Sequence, residues 1–308
     1  MGTTRWDPTD WDDYVTSHAS MSTSAIFSRR TICPNLDPKD VSVRESCDSE
    51  MNPNSTPIIV AVDNTGSMGM LAETLIRQGL GVLIEEILDR KPVTDPHVMF
   101  MAVGDAWCDQ APLQVTQFET DIRIASQLAD FWVEGGGGGN DFESYNLPWY
   151  FAAKRTKCDA ILKRNKKGYL FTVGDEPPPP ALLAKHVQKF LGGGLQRDIS
   201  TKELHKIASQ TWEIFHIMVE EGNYYSSHPD KTRKLWQQIL GQRAMPLSDH
   251  RKLAEVIVST LQVMEGADVA KVAGSWSGGT ELVVRKSLNG LVHASTNPTV
   301  AKKGLIRL

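Results

Sequence analysis

Pro57-Ile58-Ile59-Val60-Ala61-Val62 is an unbroken apolar run, and it constrains the fold more than any other stretch of the chain. A strand with one wet face alternates apolar and polar side chains. A run that is apolar at every position fits a strand covered on both faces, as in parallel sheets clad by helices. Leu71, Leu75, Ile76, Leu80, Leu83, Ile84 and Ile87 then recur at helical spacing until Lys91-Pro92 stops them. Strand, short loop and long helix make the first unit.

The alternation continues. His97 to Val103 reads as a second buried strand and Leu113 to Phe118 as a shorter, more polar one, while Ile124, Leu128 and Phe131 mark a helix that ends at a run of five glycines. Tyr145 to Leu162 carries a helical pattern, Gly168 to Val173 a strand, and Pro180 to Leu191 a helix after a four-proline break. Trp212 to Val219 is a strand, Lys231 to Leu240 a helix, Ala244 to Leu247 a short edge strand, and Arg251 to Met264 a helix, with one more near Glu281 to Leu291. The predicted class is α/β, a three-layer open and mostly parallel sheet with helices on both faces. Residues 1–55, poor in apolar side chains, are expected to form an extended N-terminal arm that drapes over the domain or waits for a partner. The domain itself is expected over 56–265 and a less regular C-terminal extension over 266–308.

Composition removes several function classes. A net charge of -4 and a pI near 6.1 argue against a surface built to grip phosphate backbones, so no nucleic-acid partner is expected. No apolar run approaches the roughly 20 residues that cross a bilayer, and the start lacks the apolar core of a secretion signal, so no membrane partner and a cytoplasmic location are expected. Cys33, Cys47, Cys108 and Cys158 are far apart and read as free thiols. The scattered histidines pair with no serine or cysteine in a nucleophile motif.

In an open parallel sheet, ligands bind beyond the carboxyl ends of the strands. Asp63-Asn64-Thr65-Gly66-Ser67-Met68, Gly135 to Ser144 and Gly174-Asp175-Glu176 occupy such positions and are rich in oxygen donors. Asp63, Thr65 and Ser67 offer one carboxylate and two hydroxyls at alternate positions. Hard oxygens in this number suit magnesium, manganese or calcium. A helix cap would explain one of the hydroxyls, but not the aspartate, the second hydroxyl and a distant aspartate together.

Asp-x-Thr-Gly-Ser-Met after a buried strand resembles the Asp-x-Ser/Thr-x-Ser signature of the metal-ion-dependent adhesion site in von Willebrand factor A (VWA) domains, and the likeness extends over about residues 56–265. It implies a divalent ion, foremost magnesium, held by Asp63, Thr65, Ser67 and Asp175, with Asn140 in the place of the family's loop threonine. Ser144 is a second candidate for that place, and Asp141 or Glu143 can also approach the ion. Asp105 and Trp107 follow the second strand and belong to the same rim. The resemblance further implies a protein partner that presents an Asp or Glu carboxylate, and no enzymatic activity. The longer pattern around Gly104-Asp105, Glu143-Ser144-Tyr145 and Gly168 to Glu176 looks like stand-alone bacterial or phage VWA proteins, many of them associated with MoxR-like AAA+ ATPases. The competing expectation is an Mg/Mn-dependent phosphohydrolase or phosphotransferase that uses Asp63 and Asp175, since aspartyl-phosphate enzymes also place their nucleophile after a central strand.

Overall fold

The computed structural model describes residues 4–5, 7–18, 20, 22, 25, 27–65, 74, 80–134 and 140–292. After helix α1 (Pro8–His18) and the short strand β1 (Arg44–Ser46), the first apolar run forms β2 (Thr56–Asp63), buried at every position. Helix α2 is described over Leu80–Arg90, and the Leu71 and Leu75 positions expected to begin it lie outside the described residues. Then come β3 (Pro96–Val103), β4 (Leu113–Val115) and α3 (Arg123–Ala129). Next are α4 (Asn146–Lys154), β5 (Thr156–Cys158), α5 (Asp159–Arg164) and β6 (Gly168–Gly174). The chain continues with β7 (Ala181–Leu182), α6 (Ala184–Leu191), β8 (Ile199–Ser200), α7 (Thr201–Ala208) and β9 (Trp212–Val219). It ends with α8 (Asn223–Ser227), α9 (Pro229–Leu240), β10 (Ala244–Leu247), α10 (Leu253–Met264), α11 (Val269–Gly274) and α12 (Gly279–Ser287).

The main sheet has the order β10-β9-β6-β2-β3-β4, with every pair parallel except β3 and β4. Side chains of one strand point alternately to opposite faces, and β2 divides accordingly. Ile58, Val60 and Val62 join one core with Leu83 and Ile87 of α2 and Val256, Ile257 and Leu261 of α10. Ile59 and Ala61 join the other with Trp149 and Phe151 of α4, Val187 of α6, Leu204 of α7 and Trp236 of α9. Each such aliphatic side chain contributes about 1.5–3 kcal/mol by leaving water. The three-layer α/β architecture predicted from the sequence is the one found.

Some local expectations differ. The helical pattern from Tyr145 is broken after Lys154, because Thr156–Cys158 extends and pairs in parallel with β1 from the N-terminal arm. Pro180 to Leu183 is not helical, since Ala181–Leu182 pairs antiparallel with Ile199–Ser200 and the helix begins at Ala184. Helix α7, on which His205 was expected to fall, begins after Ser200, whose side chain caps it by accepting from the Glu203 backbone N–H at 3.1 Å. Phe27, Cys33 and Leu36 of the arm, and Val272, Trp276, Val284 and Leu291 beyond residue 266, are buried in the same core as α10.

Candidate metal centre

β2 and β6 lie side by side, yet their onward connections diverge. The chain leaving β2 packs α2 on one face of the sheet, and the chain leaving β6 packs α6 and α7 on the other. This is a topological switch point, the place past the strand ends where open α/β sheets bind their ligands. Asp63 ends β2 and Asp175 follows β6, both fully buried.

Asp63 is held on three sides. Its Oδ1 accepts from the Thr65 backbone N–H at 2.9 Å and the Thr65 hydroxyl at 2.7 Å, and its Oδ2 accepts from the Tyr145 hydroxyl at 2.8 Å. A carboxylate offers about four lone-pair sites, so one remains, on Oδ2. Thr65 spends its hydrogen on Asp63 and keeps its lone pairs. Burial raises the Asp63 pKa to about 6, with the Asp175 charge adding to the rise while the Thr65 and Tyr145 hydrogen bonds oppose it. Burial likewise raises Asp175, against the hydrogen bonds from the Tyr224 and Tyr225 backbone. Asp175 Oδ2 accepts from Tyr224 N–H at 2.9 Å, whereas its Oδ1 is buried with no partner among the described residues.

Two glycines allow this closeness. A Cβ at Gly174 would stand 1.9 Å from the Tyr145 hydroxyl oxygen, and one at Gly222 would stand 2.2 Å from the Asp175 Cβ. Neither position admits a side chain without moving a member of the site.

The neighbouring loops supply further acid. Asp105 is fully buried; its Oδ1 accepts from Trp107 N–H at 3.0 Å, and its Oδ2 from the Cys108 thiol at 3.2 Å. Asn140 donates its amide to the same Asp105 Oδ2 at 2.5 Å, so the structure brings Asn140 to Asp105 and not to Asp63. Ser144 accepts from Ala106 N–H at 2.9 Å and lies 3.5 Å from Asp105 Oδ1, which ties the two loops together. Glu143 is 3% exposed, and its Oε2 has no partner among the described residues. Burial and then the charges of Asp63, Glu176, Asp105 and Asp109 push its carboxyl far above the usual range. Glu176 is raised to about 8 by burial and then by Asp63, Asp175, Asp105 and Asp141. Its Oε2 is also without a partner among the described residues.

Of the remaining expected residues, Asp141 faces solvent and pairs with Lys231 at 2.7 Å. Trp107 is half exposed, edge-on to His186 at 4.9 Å with the Lys185 ammonium 4.8 Å over its ring. Ser67 lies outside the described residues. Tyr145 and Glu176 were missed as site residues. The Gly174-Asp175-Glu176 segment had already pointed at the second of them, but nothing local marks a tyrosine that packs against His216 and Trp236 in the opposite core.

Among the described residues, no salt bridge reaches Asp63, Asp105, Glu143, Asp175 or Glu176. Three orphaned carboxylate oxygens, hard donors without exception and no counter-charge are the conditions under which a divalent cation binds. No three of these side chains bring one oxygen each within 4.8 Å of the others. The group of described residues that does so is Glu221, Asp249 and His250. A centre at Asp63 therefore draws on hydroxyls and water as well as carboxylates.

No family model matches the chain, and neither does any curated protein. Among solved structures, the open conformation of the pilus adhesin SpaC from Lactobacillus rhamnosus GG is similar over 70% of this chain and 31% of its own, at 12% identity and a TM-score of 0.46. A von Willebrand factor type A protein from Catenulispora acidiphila is similar over 70% and 44%, at 14% identity and a TM-score of 0.39. Proximal thread matrix protein 1 of the mussel byssus gives 71%, 48%, 10% and 0.39. The chain spans less than half the length of each. Among the described residues, no helix is long and apolar enough to cross a membrane.

Proposed function

We propose that the chain is a metal-dependent protein-binding module of the VWA type, without enzymatic activity of its own. The observation that carries this is the unneutralised acidic cluster at the switch point, where one oxygen each of Asp175, Glu143 and Glu176 lacks a partner among the described residues. Asp63, Thr65 and Asp175 would hold a magnesium, manganese or calcium ion, together with Ser67 from the same sequence motif. When bound, the ion supplies a positive centre able to attract a carboxylate from outside. The chain's own residues orient and enclose: Thr65 and Tyr145 fix both oxygens of Asp63, the Tyr224 amide fixes Asp175, and Ser144 locks the Asp105 loop beside them. The partner presents an Asp or Glu, and a cytoplasmic MoxR-like AAA+ ATPase is the first to be tried.

The hydrolase alternative would use the one lone pair left on Asp63 Oδ2, the same one a cation would take, so a bound ion and nucleophilic attack by Asp63 compete for a single position.

Calorimetric titration of the chain with magnesium, manganese and calcium, for wild type and Asp63→Ala, tests the reading. Binding in the first and none in the second is expected, with circular dichroism unchanged. Affinity for the MoxR-like candidate should then depend on metal and vanish with chelator. Equal metal binding by both proteins rejects the assignment, and phosphatase or ATPase turnover that requires Asp63 replaces it with the enzymatic one.

A further inference from the structure

Trp107 is the one aromatic among the exposed large hydrophobic side chains of the described residues, with 52% of its surface in water. The turn that carries it is closed. Its backbone N–H donates to Asp105 Oδ1 at 3.0 Å, and the N–H groups of Cys108 and Asp109 donate to the Asp105 carbonyl at 3.2 and 2.8 Å. The indole stands edge-on to His186 at 4.9 Å and to the half-buried Phe142 at 6.3 Å. Part of the ring is thus held by the fold while the rest faces solvent. A side chain already ordered loses little freedom when a partner covers it, and tryptophans are prominent among the residues that anchor interfaces.

The loops bring these rings to the metal centre proposed above. The Ser144 hydroxyl accepts from the Ala106 N–H at 2.9 Å and so joins the Trp107 turn to the segment from Phe142 to Tyr145. Tyr145 in turn donates to Asp63 at 2.8 Å. Helix α6 adds charge. Lys185 holds its ammonium 4.8 Å over the Trp107 ring, and Lys189, four residues on and therefore on the same helix face, holds its own 4.3 Å over Phe190. Both lysines are exposed, and neither enters an ion pair among the described residues. The indole is therefore bordered by two ammonium groups whose charge nothing offsets. A basic segment would be repelled there, and a wholly polar one would leave the indole's apolar face uncovered. A large apolar side chain next to acidic ones meets both conditions.

We infer that Trp107 and Phe142, bordered by Lys185 and Lys189, form a docking surface for a protein segment in which a large apolar side chain stands beside acidic residues. The inference deepens the metal-dependent reading and rests on it for the carboxylate that the ion would attract. The apolar side chain is then the second anchor of the same segment.

The test uses the full chain saturated with manganese, with a phage-displayed library of random linear peptides as the probe. Enrichment of sequences that place Asp or Glu beside Leu, Phe, Trp or Tyr is expected. An enriched peptide, once synthesised, should bind Trp107→Ala at least about tenfold more weakly than wild type. Lys185→Glu leaves the ring in place, should weaken binding by about two- to fivefold and less so at high salt, and serves if Trp107→Ala does not fold. Circular dichroism and manganese binding should be the same in wild type and both variants. Peptides that bind both variants as tightly as wild type, or that lack large apolar side chains, overturn the docking surface; if they still require Asp63 and metal, the metal-dependent reading stands without it. Peptides that need Trp107 but bind equally with chelator and in Asp63→Ala uphold the surface and overturn that reading. No enrichment overturns the surface. A dimer in sedimentation that Trp107→Ala dissolves assigns the face to a second copy of the chain and overturns the proposal in the same way.

Discussion

The two halves of the sheet's carboxyl-end rim both carry acidic side chains and treat them in opposite ways. Beyond β9 and β10, Glu220 is paired with Lys286, Glu221 with His250, and Asp249 with Arg251. Beyond β2, β3 and β6, Asp63, Asp105, Glu143, Asp175 and Glu176 have no basic partner among the described residues and are more deeply buried. Even though Glu221, Asp249 and His250 crowd their ligand atoms together, every one of them is already satisfied. Crowding of acid does not mark a cation site; burial without counter-charge does.

The largest effect expected from this contrast is on metal response. At a concentration one hundred times the dissociation constant, an ion that binds only the native state stabilises it by about 2.7 kcal/mol. Manganese should raise the melting temperature of wild type accordingly and leave Asp63→Ala unmoved. Asp249→Asn, on the paired half, should respond as wild type does, and loss of the response in Asp249→Asn would place the ion on the wrong half.

Next in size is Gly222→Ala, because the new Cβ would collide with Asp175. About 1–3 kcal/mol of stability should be lost, together with manganese binding in calorimetry. Gly279→Ala, where a Cβ meets nothing within 4 Å, is the matched control and should change little. A Gly222→Ala protein that binds manganese normally would show that Asp175 is free to move without consequence.

The pH dependence sharpens the comparison further, since the halves have opposite signs. Carboxyls whose folded pKa is raised contribute stability that is fully present below their unfolded value, near 4, and lost as pH rises through the folded one. With Asp63 at about 6 and Glu176 at about 8, the melting temperature of the metal-free protein should fall between about pH 4.5 and 8. Asp249, lowered by its Arg251 hydrogen bond, contributes in the other direction, and only as pH drops below about 4. Glu176→Gln should flatten the fall. Saturating manganese should reverse it, because the ion displaces protons. A metal-free melting curve that rises across that window would contradict the picture.

The smallest effect belongs to the paired half. Arg251 is two-thirds exposed, so Arg251→Ala should cost no more than about 1 kcal/mol, and less at high salt. A larger, salt-independent loss would mean that this half also stores unbalanced charge.

The sheet was legible in the sequence because β2, β3, β6 and β9 are buried on both faces, and such strands write themselves as apolar runs. Asp63 and Asp175 were legible for a related reason: each stands where such a run ends. The helix expected through Leu162 failed at Thr156 because its partner, Arg44–Ser46, lies in an arm whose own composition is polar. Pairing with a distant segment outweighs local period there, and no local pattern announces it. The same holds for Phe27 and Leu36, isolated apolar residues that become core only when α2, α3 and α10 are in place. Tyr145 was hidden because its place beside Asp63 depends on where loops cross in space.

The pairing of β1 with β5 also sets an order in time. β1 is synthesised early, but the strand it joins is made only after β2, β3 and β4 have emerged, and contacts so far apart in sequence form slowly. During synthesis, Arg44–Ser46 has no strand to pair with until Thr156–Cys158 has been made. A polar composition keeps such a segment from sticking to other nascent chains during that wait. The paucity of apolar residues in the arm is thus a safeguard for the interval before its partner exists.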